Sequence, residues 1–444
     1  MHQQTHWFTQ LTQIKPSEFK SALVSFMFIF ILMSSYMIVK PVRDALPSDW
    51  GKLSLPQIWT YTFVVSTIAV SVYNLAASFV SLRTLVPSVF CFFAASFIGI
   101  YVSAEYNLIT REILGKIVYV WISVFSLFHI SVFWSFLSNH YNKEQSKRMF
   151  GFISTGASAG AICGPTLVII LKDQINEQNI LLIVAGVLLS TLPLIAILNR
   201  EFAKTDNEEK SQNLSPNPFS GFFDLINHKR LSTIAAFIFF FTGAAAFLYF
   251  MQTELLSEYS RAERNAILAK VELATNTATI VIGMFATNRI ARKLGMPTTL
   301  AIIPVLIAAL FLILTLHPAI FFILAMQVIR RTGNYAITRP AREILFTAVD
   351  KEARFKTKPI IDVAVYRGGD VCWIYLITHM SASAGFSLPQ ILMTGAGICI
   401  IWAAIGFFLG KAHENDSKDE EPSDDDNSDS IPHAENKPDA PSKV

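Results

Sequence analysis

Asp362, Tyr366 and Asp370 recur every fourth residue, and Arg367 stands three before Asp370, all within an apolar run, 360–380, long enough to cross a membrane. On a helix, positions three and four apart share a face, so Arg367 can pair with Asp370 while the carboxylates drift slowly around one side. Ionisable groups at that depth are costly in lipid and normally face a protein interior or a wet cavity. Two readings stay open: a fixed ion pair locking neighbouring helices, or a substrate-contacting or proton-coupled group that changes partners. A second cluster closes the first apolar run, where Lys40-Pro41-Val42-Arg43-Asp44 follows Tyr36. Proline at 41 kinks or ends a helix. Lys40, Arg43 and Asp44 then bind an anionic solute, form an outer gate, or reach to the membrane interface with Arg43 paired to Asp44. A strongly basic segment runs from Arg330-Arg331 through Arg339-Pro340-Ala341-Arg342-Glu343, which makes Arg339 and Arg342 further candidates for an anion.

Two acid–base candidates stand outside these clusters. His129 lies among Phe125, Phe128 and Phe133, where a histidine is more often a packing residue than a proton relay. Glu272 and Asn276, one turn apart, either line a cavity or sit at a solvated helix start, which the helix dipole favours for an acid.

The elements that must hold these residues are helices in a membrane. The chain is 52% hydrophobic and 16% charged, with a mean hydropathy of +0.44, too apolar for an ordinary soluble domain. Runs of about 20 apolar residues recur at 21–44, 58–82, 85–104, 114–138, 150–171, 179–198, 231–253, 268–290, 298–315, 318–337, 360–380 and 388–410. Without an alternating barrel pattern, such runs satisfy their backbone in lipid only as helices. The predicted class is an all-α membrane protein of twelve transmembrane helices in two six-helix bundles. Its domains are an N-terminal bundle at 1–199, a cytoplasmic linker at 200–230, a C-terminal bundle at 231–411 and a disordered acidic tail at 412–444. In the tail, acids far outnumber Lys418, Lys437 and Lys443, and apolar residues are scarce.

The first run lacks a small-residue cleavage site and reads as a retained span. Lys and Arg concentrate in the segments that are internal when both termini are cytoplasmic, and these include the connection after span ten with Arg330 and Arg331 counted in it. A multi-pass membrane protein with both termini inside follows, its basic face attracting anionic lipid. The four cysteines lie singly in apolar runs, without metal spacing. No phosphate loop, dinucleotide fingerprint, zinc-protease helix or serine elbow is found. The reading is therefore no enzyme, no metal, no cofactor and no nucleic-acid partner.

Gly156, Gly160 and Gly164 recur every fourth residue in span five and make a smooth strip against which another helix can pack closely. With Gly151 and Pro165 the spacing resembles the span-five antiporter motif of the major facilitator superfamily. The loop Asn288-Arg289-Ile290-Ala291-Arg292-Lys293 resembles that superfamily's basic inter-span loop.

Across nearly all twelve spans the chain further resembles the bacterial ATP/ADP translocase family within that superfamily. The likeness is carried by Lys40-Pro41-Val42-Arg43-Asp44, by Phe133-Trp134-Ser135-Phe136, by Arg339-Pro340-Ala341-Arg342-Glu343, and by the run from Lys356 and Lys358 through Ile361-Asp362 to Arg367-Gly368-Gly369. It implies nucleotide exchange by alternating access, without hydrolysis, in a bacterial inner membrane. The chain departs from the family pattern where a glutamate belongs early in span four, Val120 to Ile122 here, and where a lysine belongs at Asp370. On this reading Lys40, Arg43, Asp44, Arg339, Arg342, Tyr366 and Arg367 contact a small anionic solute, a nucleotide by resemblance. Asp362, Asp370, His129 and Glu272 are the coupling candidates. Two alternatives are proton-coupled transport of another organic anion and a non-transporting scaffold or sensor whose tail recruits a partner.

Overall fold

The computed structural model describes residues 15–141, 143–171, 177–203, 225, 227–285, 287–317, 319–345, 357 and 361–419, and among them there is no strand. The first half contains α1 (Phe19–Ala45), α2 (Leu55–Phe79), α3 (Leu82–Glu105), α4 (Arg111–His140), α5 (Lys143–Leu171), α6 (Glu177–Leu189) and α7 (Thr191–Ala203). The second contains α8 (Lys229–Leu256), α9 (Arg261–Phe285), α10 (Thr287–Leu316), α11 (Ile320–Gly333), α12 (Arg339–Leu345), α13 (Tyr366–Ala382) and α14 (Leu388–Asp419).

Each half follows the same physical recipe. Apolar side chains such as Ile68, Val72 and Leu75 on α2 stand 58–63% exposed, the pattern of a lipid-facing surface. Hydroxyls inside the helices donate back to carbonyls a turn away, as Ser34 does to Phe30 at 2.8 Å and Thr62 to Ile58 at 2.8 Å. Such back-bonding lets polar side chains sit in an apolar medium without seeking water. The enclosed helices are α1, α4 and α8. In α8, 67% of the apolar stretch is buried, against 17% in α2. These central helices border the space between the halves.

The glycine strip of α5 does the packing its spacing predicts. A Cβ built on Gly156 would lie 2.6 Å from the carbonyl oxygen of Phe26, and one on Gly164 would lie 2.6 Å from Cβ of Met37. Gly160 between them faces the carbonyl of Phe30 and Met33. The backbones of α1 and α5 are therefore nearly in contact from Phe26 to Met37, up to the turn that precedes Lys40, Arg43 and Asp44. Pro165 lies within α5.

Several expectations shift. Pro41 does not end α1, which continues to Ala45; its removed donor leaves the flanking backbone pattern intact enough for the helix to pass through. Span six is two helices with a turn at Ser190. Helix α14 runs on to Asp419, seven residues past the expected start of the tail, and Glu414 accepts the Met296 backbone N–H at 2.8 Å beside Gly295, whose φ of 72° breaks α10. The rest of the tail and most of the expected linker lie outside the described residues, as do the side chains of Arg289, Arg292 and Lys293.

Nine of the described helical stretches are long and apolar enough to cross a membrane. The expected spans eight, ten and eleven fall outside that set, although α9, α11 with α12, and α13 occupy their places. The reason is their chemistry. These helices carry Glu272, Arg330, Arg331, Arg367 and Asp370, and two of them are widened by π turns, Asn334–Thr338 and Ile361–Val365. π turns interrupt α-helices most often at functional positions.

Overpacking a tight helix contact costs about 1–3 kcal/mol or more. Gly160→Leu is expected to lower the melting temperature and the monodisperse yield sharply, because backbone faces it. The same change at Gly186, where a Cβ meets no atom within 4 Å, is expected to leave both within error. Thermal-shift measurement in detergent compares the two.

Candidate functional site

Between the halves lies a cavity of about 250 Å³. Helix α1 contributes Tyr36, Lys40, Arg43 and Asp44, while α2 and α4 add Trp59, Tyr119 and Ser123. Across from them stand Phe241 and Tyr249 of α8, Arg330 and Arg331 of α11, and Asn334 and Tyr335 of the first π turn. Tyr366, Arg367 and Asp370 open α13 and complete the wall. Five cationic side chains thus face two carboxylates across a lining rich in tyrosine.

The charges on the α1 side form one buried network. Asp44, 2% exposed, accepts from Arg43 at 2.7 and 2.9 Å and from Lys40 at 3.3 Å, with Arg331 at 4.0 Å. Glu272, 4% exposed, takes both Lys40 and Arg331 on one carboxylate oxygen. Three cations share two acids, so the group keeps one net positive charge. Charges this deep persist only when paired and hydrogen-bonded. Deleting one member of such a pair typically costs about 3–5 kcal/mol, since it strands the other.

The network also crosses between the halves. Lys40 and Asp44 belong to the first, Glu272 and Arg331 to the second. Further bridges gather at the same end: Asp49 accepts from Arg261 at 2.5 Å and Arg264 at 2.8 Å, and Lys52 meets Glu254 at 3.0 Å. Deeper in, Asn276 donates to the Ala161 carbonyl at 3.0 Å and Tyr249 to Tyr119 at 3.3 Å. The halves are tied together where α1 ends and α2 begins.

The second charged group is looser. Arg367 and Asp370 approach to 3.9 Å. Arg330, 7% exposed, lies 5.5 Å over the Phe241 ring and donates to Gln327 at 3.1 Å.

Six of the predicted site residues line the cavity together: Lys40, Arg43, Asp44, Tyr366, Arg367 and Asp370. Glu272 is no solvated helix-start acid; it sits immediately behind them, holding Lys40. His129 stays out of the lining, 2% exposed, with its ring centroid 4.4 Å from that of Tyr36 and 5.6 Å from that of Phe125. Arg339 is exposed and Arg342 half-buried, and neither borders the cavity. The side chain of Asp362 lies outside the described residues.

Arg330 and Arg331, counted in the sequence with an internal connection, are instead buried on α11 within the cavity wall. Their signal was their position: both fall inside the apolar run, with Ile329 before them and Ala336-Ile337 after. The aromatic members, Trp59, Tyr119, Tyr249 and Tyr335, carried no signal in a chain that is 12% aromatic.

No curated protein sequence matches the chain. Among solved structures it is similar to a bacterial homologue of the human lysosomal transporter Spinster, in an inward-facing and unoccupied conformation, at 14% identity and a TM-score of 0.57, covering 91% of this chain and 99% of that one. It is similar also to the nucleoside transporter NupG, at 12% identity and a TM-score of 0.56, over 89% and 99%. The human organic anion transporter MFSD10 (TETRAN) aligns at 12% identity and a TM-score of 0.58, over 88% and 100%. Identities this low establish the fold and nothing of the substrate. The sequence profile of the Major Facilitator Superfamily matches residues 117–342, just over half of the chain. With the all-helical fold and the central cavity, that match makes this chain a member of the Major Facilitator Superfamily, a multi-pass membrane transporter of the alternating-access class.

Proposed function

We propose that the transported solute is a small organic anion, bound between the halves and released as they rock about it. The observation that carries this reading is the imbalance of charge on the cavity wall, where Lys40, Arg43, Arg330, Arg331 and Arg367 outnumber Asp44 and Asp370 even when Glu272 is counted with the acids. An excess of buried cations is unfavourable in an empty site and is relieved by an anion, and a low-dielectric wall strengthens the attraction. The tyrosines add hydrogen-bond donors and flat faces for a ring.

Within this class the finer reading is nucleotide exchange. Its support is the sequence resemblance to the ATP/ADP translocases, together with an arrangement of guanidinium groups and aromatic faces that suits phosphates attached to a planar base. Asp370 opposes this reading locally by placing an acid beside Arg367. A proton-linked carrier of another organic anion, using Asp370 or Asp362 as the coupling group, is the competing reading. The domain plan that accompanies either is two bundles, 1–199 and 231–411, joined by a linker and followed by a tail. Both termini are assigned to the cytoplasm of a bacterial cell.

On this assignment the bridged end faces outward. The Lys40–Asp44–Glu272–Arg331 network then works as the outer closure. Its ion pairs must come apart before solute reaches the cavity from outside.

Purified protein in liposomes, loaded with each solute in turn, tests the substrate. The expected result is saturable uptake of at least one of ATP, ADP, succinate or citrate, with no uptake of uncharged adenosine. Uptake of adenosine alone would contradict the anion reading, and uptake of ADP only against internal ATP would select nucleotide exchange. Asp370→Asn separates the competing readings: exchange independent of a pH gradient is expected to persist in it if coupling is to a counter-nucleotide. Loss of pH-gradient-driven uptake in the same variant would favour proton coupling. Glu272→Gln is expected to reduce the maximal uptake rate at least tenfold, because Lys40 and Arg331 lose their shared partner and the closed state loses about 3 kcal/mol.

A further inference from the structure

The cations of the cavity are not equivalent. Lys40, Arg43 and Arg331 are each within ion-pair distance of Asp44 or Glu272, so an entering anion must displace a carboxylate to reach them. Arg330 stands apart. Among the described residues no carboxylate lies within ion-pair distance of its guanidinium, and its Nε, although buried, has no hydrogen-bond partner. An unpartnered donor on a buried charge is unfavourable unless something else satisfies it.

The guanidinium is nevertheless held in place. One Nη donates to Oε1 of Gln327 at 3.1 Å, and Gln327 donates in turn to Oε1 of Gln252 on α8 at 2.9 Å. Both glutamines are 1% exposed. The ring of Phe241, also on α8, supports the guanidinium from another side at 5.5 Å, the distance of a cation–π contact. The polar relay and the ring fix Arg330 while neutralising none of its charge. That is what preorganised anion recognition requires: a planar donor already in position, with a free edge.

Resting on the anion-transport reading above, we propose that Arg330 is the seat of the solute's anionic group. Arg367, Tyr335, Tyr366 and Asp370 line the same cavity, and Gln327 and Gln252 act as positioning residues behind Arg330. The α1-side cations hold the closure between the halves and reach the solute only as that closure opens. The two charged groups of the cavity thus divide the labour: one recognises, the other latches.

The division is read from the concentration dependence of uptake. Labelled ADP and labelled citrate are each offered to liposomes containing the wild type, Arg330→Gln, Arg330→Lys, Gln327→Leu and Glu272→Gln. The expected result is a KM for the transported probe raised at least tenfold in Arg330→Gln and three- to tenfold in Gln327→Leu. Arg330→Lys keeps the charge but not the fork, and is expected to fall between Arg330→Gln and the wild type. Glu272→Gln is expected to change the maximal rate while leaving KM within threefold. If Arg330→Gln does not fold, Arg330→Lys and Gln327→Leu carry the same comparison. A wild-type KM in the Arg330 and Gln327 variants, with the large KM effect in Glu272→Gln instead, overturns this seat and leaves anion transport standing. Failure of the wild type to take up either probe removes the seat together with the reading on which it rests.

Discussion

The carboxylate of Glu272 is shared by a lysine from one half of the molecule and an arginine from the other, and most of what is specific to this transporter follows from that arrangement. When the halves part, Lys40 leaves Glu272 but keeps Asp44, and Glu272 keeps Arg331, so the contact can open and close without leaving either acid unpaired. In the reading proposed above this contact is the latch, on helices that border the cavity and at the end where Asp49, Arg261 and Arg264 add further bridges.

The scaffold serves this contact. Helix α1 can present Lys40, Arg43 and Asp44 in fixed register because the glycines of α5 let it approach at backbone distance. The second half solves the same problem with different residues: Trp373 of α13 covers Gly243 of α8 and donates to the Phe239 carbonyl at 2.8 Å, locking the helix that carries Arg367 and Asp370. The π turn after α11 keeps Asn334 and Tyr335 on the cavity wall at a point where the α-helix is interrupted.

Much of this was legible in the chain, for identifiable reasons. Apolar runs mark spans whatever their partners, and glycines at every fourth position mark a close helix contact, so the class of the fold and a packing strip on α5 could be read directly, though not that α1 fills it. Charge inside an apolar run marked Lys40, Arg43, Arg367 and Asp370. The same rule was available for Arg330 and Arg331, but adding them to a basic connection concealed that they lie within a helix. What could not be read was pairing across distance. Glu272 meets Lys40 from 232 positions away, and no local pattern distinguishes an acid held by two cations from one at a solvated helix start. The tyrosines and Trp59 were hidden because aromatic residues are common in this chain and become a cavity wall only after the halves meet.

If the Glu272 contact closes one end of the cavity and releases it during transport, the distance between the halves at that end must change with it. Leu53 and Ser257 are exposed and lie on the first and second halves near the bridges at that end. Spin labels at Leu53→Cys and Ser257→Cys, in a background with the four native cysteines changed to alanine, report their separation by double electron–electron resonance. A short distance in the resting protein is predicted, with a second, longer population that grows in Glu272→Gln. One distance, identical in both proteins, would contradict the latch.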